Sequence, residues 1–450
     1  MKASRYNVWI DREDASYVYS GMTGGVLRVS HEEREAIERA LETGGADLAG
    51  CSPTTLTRLA EARMIIPDDA DELETLALRY RRSRADASRL ALTIVTSLGC
   101  NFDCPYCFED KHPSIMSEEV ERDLVALVED QVPSIQAMSV CWFGGEPLVG
   151  KRPLLRLSDA FIDRCDRAGV TYNASIVTNG YLLTEETARE LRDRRVTRAQ
   201  VCLDGPPDVH DRMRPMRDGR GTFWRIVENL RHAVDTFDVT VRMNLDRENW
   251  PHVEALLRIL ADEGFAGRVQ VVPGQIVVGH ADAAPSAPAS GYCTPCFASP
   301  EFALVERAFS QLAARYGFAQ PDLPVPIGAP CTAMRSNEFV VGSAGELYKC
   351  WESVGNARDV IGHVRDYRNP NGRMAKWLRY DPFSDAECSS CIALPVCMGG
   401  CAQHSFDVLQ HENRCSTFRH TYREQVGDYV DSAARYTPVQ LKARPARSSN

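Results

Sequence analysis

Three cysteines stand within eight residues of the stretch TSLGCNFDCPYCFED (residues 96–110): Cys100, Cys104 and Cys107, spaced by three residues and then two, with aromatic Tyr106 before the last. Thiolates at such close quarters bind soft metals. A structural zinc site asks for four ligands, and His112 is a candidate fourth. The other reading is an iron–sulfur cluster held by three cysteines, which leaves one iron able to bind a substrate or cofactor, as a catalytic metal keeps a position open.

A second array lies toward the C-terminus: Cys331, Cys350, Cys388, Cys391, Cys397, Cys401 and Cys415. Seven cysteines are too many for one metal and one short of the eight that would close two four-iron clusters. The pair Cys293 and Cys296, in YCTPC, lies upstream of that array; CxxC alone is weak evidence, and a redox or structural pair is its plain reading. Cys51, Cys141, Cys165 and Cys202 fall beside a cap, in strand-like runs or on a helix, and read as small apolar core residues.

Composition bounds the rest. The chain has 450 residues, 44% of them apolar, a formal charge of -10 and a pI near 5.6. This acidic balance argues against a broad nucleic-acid footprint. The basic run RYRRSRADASR (residues 79–89) is expected to be a solvated linker, with a phosphate or acidic-peptide patch as the sharper alternative. The N-terminus lacks a secretory pattern, and no apolar run reaches the roughly 18 to 20 residues that span a bilayer, so a cytoplasmic location without membrane contact is expected. Sixteen cysteines in a reducing compartment hold metals or do chemistry rather than form a disulfide framework.

The elements that must position these thiols follow from patterning. Residues 1–66 show three short β-type runs followed by helices capped by Ser30 and by Ser52 with Pro53, which suits a winged-helix-like module. Six strand-like segments (90–97, 137–145, 172–180, 198–206, 238–244 and 268–274) then alternate with amphipathic stretches. This predicts an α/β fold, an open or partial (β/α)6 barrel with functional groups at the C-terminal strand ends. The expected division is a recognition module and linker (1–88), the barrel (89–280), a connecting segment and helix (281–330), a Cys-rich domain (331–436) that needs bound metal for stability, and a disordered tail (437–450).

The Cys100, Cys104 and Cys107 motif after the first strand resembles the signature of radical S-adenosylmethionine (SAM) enzymes. That resemblance implies a [4Fe–4S] cluster on these thiolates, with SAM on the open iron. Gly144, Gly145, Glu146 and Pro147 resemble the family's loop after the second strand, near the SAM amino group. Thr178 and Asn179, with the turn containing Asp204, resemble its later polar turns, facing the ribose and methionine. Tyr106 would pack by the adenine. The patterns HDRMR (residues 210–214) and RMN (residues 242–244) are common in the peptide-modifying branch, and an arginine, Arg242, suits the SAM carboxylate.

The C-terminal array resembles the SPASM domain of radical SAM peptide maturases. The resemblance implies two auxiliary [4Fe–4S] clusters with interleaved ligands, Cys331, Cys350 and Cys401 for the first and Cys388, Cys391, Cys397 and Cys415 for the second, three clusters in all. Gly345 would allow the hairpin that returns Cys350. The residues before Cys331 lack the further cysteine many relatives carry; Cys293 or Cys296 closes the first cluster, or its fourth site stays open. Sulfatase-maturing relatives have an aspartate where this chain has Trp351, which ranks that activity low.

The resemblance therefore implies a radical SAM oxidoreductase that uses a 5′-deoxyadenosyl radical to install a thioether or carbon–carbon cross-link on a ribosomal precursor peptide. The N-terminal module would hold the leader as an added strand, and a one-electron reductant such as flavodoxin or ferredoxin would serve it. Radical epimerisation, with Cys293 or Cys296 as hydrogen donor, is the alternative within enzymes. An iron–sulfur electron-transfer or scaffold protein is the alternative from another class.

Overall fold

The computed structural model describes residues 1–42, 51–109, 112–277, 292, 296–319, 321–408 and 410–435. At its centre is a nine-stranded sheet of order β11-β10-β9-β8-β7-β6-β12-β13-β14. Lys2–Ala3 is β1, Asn7–Asp11 β2, Ser16–Ser20 β3, Val26–Val29 β4 and Ile65–Ile66 β5. The six parallel strands in sequence order are β6 (Arg89–Val95), β7 (Ala137–Phe143), β8 (Thr171–Thr178), β9 (Val196–Cys202), β10 (Asp238–Leu245) and β11 (Val269–Gln275). These are the six strands the alternation predicts.

Each connecting helix turns its apolar face onto the sheet. Glu118–Gln131 buries Val120, Leu124, Leu127 and Val128, and Lys151–Ala168 buries Leu154, Leu157, Phe161 and Cys165. Their starts are capped as the sequence suggests: Thr184 accepts from Thr187 N at 3.2 Å, and Ser52, followed by Pro53, from Thr55 N at 3.0 Å. The strands β6 to β11 and their helices share one continuous core, in which Leu92, Ile94, Trp142, Val201 and Leu230 are essentially inaccessible.

The Cys-rich region does not stand apart from this sheet. β12 (Glu338–Val341) pairs parallel with β6, and β13 (Glu346–Tyr348) and β14 (Gly362–His363) continue antiparallel, with Gly345 at φ +90 in the turn.

At the N-terminus, β2, β3 and β4 form an antiparallel sheet. One face, with Val18, packs beside the helices His31–Glu42 and Pro53–Glu61, and the other, with Val8, Ile10 and Tyr19, packs on Phe418, Val426 and Val430 of the kinked helix Phe418–Arg435.

One expectation is corrected. Residues 79–89 are not a solvated linker: most of the run belongs to the helix Glu72–Ala85, which buries Leu76 and Tyr80. Arg84 in it donates to the carbonyls of Met334, Trp377, Leu378 and Tyr380 at 2.9–3.0 Å. Its charge satisfies backbone acceptors of the Cys-rich region, a use that composition alone does not reveal. The tail 437–450 and most of the Ala/Pro-rich segment, including Cys293, lie outside the described residues. Among the described residues, no helix is long and apolar enough to cross a membrane.

Candidate functional site

The loop after β6 is held by hydrogen bonds from three directions. Gly99 N donates to Ser97 Oγ at 2.9 Å, and Leu98 N to Ser114 Oγ at 3.1 Å. On another side, Asp103 N donates to Pro215 O at 2.9 Å and Arg217 N to Asn101 O at 3.2 Å. From β7, Gly145 N donates to Ser97 O at 3.1 Å and Glu146 N to Gly99 O at 3.0 Å. A Cβ on Gly145 would meet Leu98 O at 2.6 Å, so glycine is required for this approach. Cys100 and Cys104 are buried and Cys107 half-buried.

Glu146 is wholly buried, and its two oxygens are taken by protein donors: Thr178 Oγ1 and Asn179 N at 2.7 Å and Leu148 N at 3.0 Å. Burial raises its carboxyl pKa, and these hydrogen bonds work against the rise. Glu146 thus ties the β7 loop to the β8 loop. Asn179, positioned by that contact, donates through Nδ2 to Asn101 Oδ1 at 2.8 Å and to Cys100 Sγ at 3.9 Å.

The third part of the site comes from the ends of β9 and β10. Asp204, fully buried, accepts from Tyr106 Oη and, at 2.9 Å, from Asn244 N. Asp204 N donates to His210 Nδ1 at 3.1 Å, which leaves Nε2–H to face Thr222 Oγ1, itself a donor to Arg214 O. Burial holds the His210 pKa well below the usual histidine range, and the Arg214 charge adds to this. Arg214 lies 3.5 Å from Asp204 and donates through Nη1 to Tyr106 Oη, while its buried Nε has no hydrogen-bond partner among the described residues. Arg242 instead donates to Asn244 Oδ1 at 2.9 Å, its guanidinium over Gly274.

Beside Tyr106, the ring of Tyr292 sits edge-on at 6.0 Å and its hydroxyl donates to Asp246. Cys296 packs in the same small apolar cluster, with Val209, Met213 and Ile276. Sequence reasoning passed over Tyr292 and Asp246 and quoted Arg214 only as part of a motif. The burial of Arg214 depends on contacts with Phe102 and Tyr106 across the loop, which no local pattern displays.

The seven C-terminal cysteines fall into two neighbourhoods. Burial raises Cys331 to about 11, and the nearby Cys401 adds to it; burial likewise raises Cys350, with Glu352, Cys401 and Cys331 around it. Cys388 is raised to about 12 by burial and then by Asp385, Cys397 and Cys415, and Cys397 to about 11 by burial with Cys415 and Cys391 beside it. Arg419 Nη1 donates to Cys415 Sγ at 3.1 Å. Trp351, half-exposed, stacks on Phe143 at the end of β7, centroids 5.5 Å apart. Among the described residues, no three His, Cys, Asp or Glu side chains converge on the point a single metal ion would occupy.

The donor chemistry fits an iron–sulfur cluster with an anionic ligand beside it. The loop supplies three sulfur donors on one glycine-lined cradle, and the buried Arg214 keeps a donor to spare for a carboxylate.

The α/β sheet gathers a three-cysteine loop, a glycine loop and two polar turns at the C-terminal ends of its parallel strands. Residues 94–260 match the Radical SAM superfamily, so the chain contains a radical SAM domain, and that family implies SAM and a [4Fe–4S] cluster. The AdoMet-dependent heme synthase of Methanosarcina barkeri is 33% identical over 165 residues, 35% of this chain and 44% of that protein. The chain spans less than half the length of the curated relatives it matches. Native anSMEcpe with bound AdoMet and Cp18Cys peptide shares the fold at 16% identity and TM-score 0.58, covering 76% of this chain and 99% of that one. Streptococcus suis SuiB bound to precursor peptide SuiA does so at 13% identity and TM-score 0.52, covering 90% and 97%.

Proposed function

We propose that this chain is a radical SAM peptide maturase that abstracts hydrogen from a ribosomal precursor peptide to install a thioether or carbon–carbon cross-link. The observation that carries the reading is the meeting of Cys100, Asn179, Gly145 and the Tyr106–Asp204–Arg214 group at one end of the parallel strands. Cys100, Cys104 and Cys107 would hold the cluster, and SAM, once bound there, supplies the hydrogen-abstracting radical. Arg214 binds the SAM carboxylate in this reading, with Arg242 held by Asn244 nearby, and Tyr106 fixes the orientation of Arg214 against Asp204.

A SPASM-type pair of auxiliary clusters is supported by the two cysteine neighbourhoods, Cys331, Cys350 and Cys401 against Cys388, Cys391, Cys397 and Cys415. A peptide substrate is supported by fold likeness to anSMEcpe and SuiB, both with peptide bound. The edge strand β4 of the N-terminal sheet suits a leader added as a further strand. Trp351 supplies no carboxylate at the site mouth.

The place of Cys296 beside Tyr106 favours one second reading, epimerisation with Cys296 as hydrogen donor. Anaerobic co-expression with a candidate precursor, followed by mass measurement, tests both. Loss of a pair of hydrogens supports the cross-link. Unchanged mass with deuterium uptake from deuterated water supports epimerisation, and neither change with SAM still cleaved rejects that peptide as substrate.

A further inference from the structure

At the opposite end of the parallel strands from the Cys100 loop, Arg82, Ser83, Ala85, Asp86, Arg89, Gly328 and Arg335 line an open groove of about 710 Å³. Arg89 is the first residue of β6, whereas the Cys100 loop follows the last, so the groove and the SAM-site mouth are separated by the strand's length, about 23 Å. Three arginines face one aspartate. Arg335 pairs with Glu338 at 3.6 Å, but the exposed Arg82 and Arg89 make no ion pair or hydrogen bond through their guanidinium groups among the described residues. In a chain of formal charge -10 this is a local field of the opposite sign.

The groove flanks the turn that carries Cys331. Gly328 presses so closely on the helix Glu72–Ala85 that a Cβ would meet Ser83 Oγ at 2.4 Å, and Met334 N donates to Cys331 O at 3.2 Å within the same turn. Cys331 is exposed, Cys401 and the buried Lys349 lie near enough to act on its thiol, and Lys349 Nζ donates to Arg335 O and Glu338 O. One short turn therefore joins the basic surface to a candidate cluster ligand.

We propose that the Arg82, Arg89 and Arg335 groove docks an acidic one-electron carrier protein of the flavodoxin type. The proposal rests on the radical SAM reading above and names the partner that reading requires. In that docking the reduced carrier would give up one electron, and an iron–sulfur cluster, which Cys331 with Cys350 and Cys401 would hold, would accept it. A precursor peptide must reach the far end of the strands, whereas a carrier needs only the edge of a cluster, and a carboxylate-rich protein face complements the arginines.

The test titrates oxidised flavodoxin into the full-length protein at low and physiological salt, comparing wild type with the Arg82→Glu/Arg89→Glu double variant and with Arg192→Glu, an exposed helical arginine elsewhere. The expected result is binding about ten-fold weaker in the double variant, a shallower salt dependence, and no change for Arg192→Glu. 5′-Deoxyadenosine formation driven by reduced flavodoxin slows by a similar factor in the double variant, while formation driven by dithionite, which needs no docking site, does not. Unchanged flavodoxin affinity in the double variant, or loss of precursor-peptide affinity instead, overturns the proposal. Failure of dithionite-driven SAM cleavage in wild type would reject the radical SAM reading and leave the binding result to stand by itself.

Discussion

The loop that carries Cys100 and the segment that carries Cys331 to Cys415 are both rich in thiols, yet they are held in different ways. The first lies over the main core and is fixed by the hydroxyls of Ser97 and Ser114 and by backbone groups of two neighbouring loops. The second begins as β12 to β14 on the main sheet and core, then continues as helices of four to six residues packed in small apolar clusters, such as that of Ala329, Ala333, Met334, Trp377 and Ala402. Charged side chains bind it together: Arg84 spans four carbonyls, and Arg414 joins Asp385 and Glu387. A cradle tied down on several sides can receive a cofactor without rearranging, whereas a stretch of short helices on small clusters would gain much of its stability from a group bound by its cysteines.

The largest expected effect follows from that contrast. If the cysteines hold iron, removing it with a chelator under anaerobic conditions should open residues 380–415 to limited proteolysis while residues 89–275 resist, as peptide mapping would record. Equal resistance of both regions would break the comparison.

Single substitutions sharpen it. Glu146→Gln puts an amide where three donors converge and should cost about 1.5–3 kcal/mol of global stability in denaturant unfolding. Arg84→Met should cost a similar amount but act locally, increasing proteolysis of the C-terminal segment before the barrel unfolds. A global effect of Arg84→Met equal to that of Glu146→Gln would mean the two regions unfold as one unit.

The smallest effect is a pH dependence. The His210 pKa lies well below 6.5 in the folded chain. Between that value and 6.5 the unfolded chain binds a proton that the folded chain does not, so stability falls as pH drops below about 6.5, with a slope of at most about 1.4 kcal/mol per pH unit. His210→Gln should reduce that slope in urea titrations at pH 7 and pH 5. An unchanged slope would place the acid sensitivity elsewhere.

Much of the barrel was legible because its signals are local. Alternation marks β6 to β11, and Thr184 and Ser52 announce their helices by the hydroxyls that cap them. The cysteine spacings were legible for the same reason. The rest depends on contacts distant in sequence. β12, β13 and β14 are two to four residues long, too short for a period to register, and β12 is recognisable only by its pairing with β6. The linker assigned to residues 79–89 failed similarly, since Arg84 looks solvated until its four carbonyl partners arrive from the other end of the chain. Arg214 was visible as a motif letter, but its burial against Tyr106 was not.

The measurement that tests the central claim most directly is 5′-deoxyadenosine formation by anaerobically reconstituted protein with SAM and dithionite, wild type beside Cys104→Ala. The account predicts turnover in wild type and none in Cys104→Ala, with the variant's barrel still folded by circular dichroism. Turnover that persists in a folded Cys104→Ala protein would contradict it.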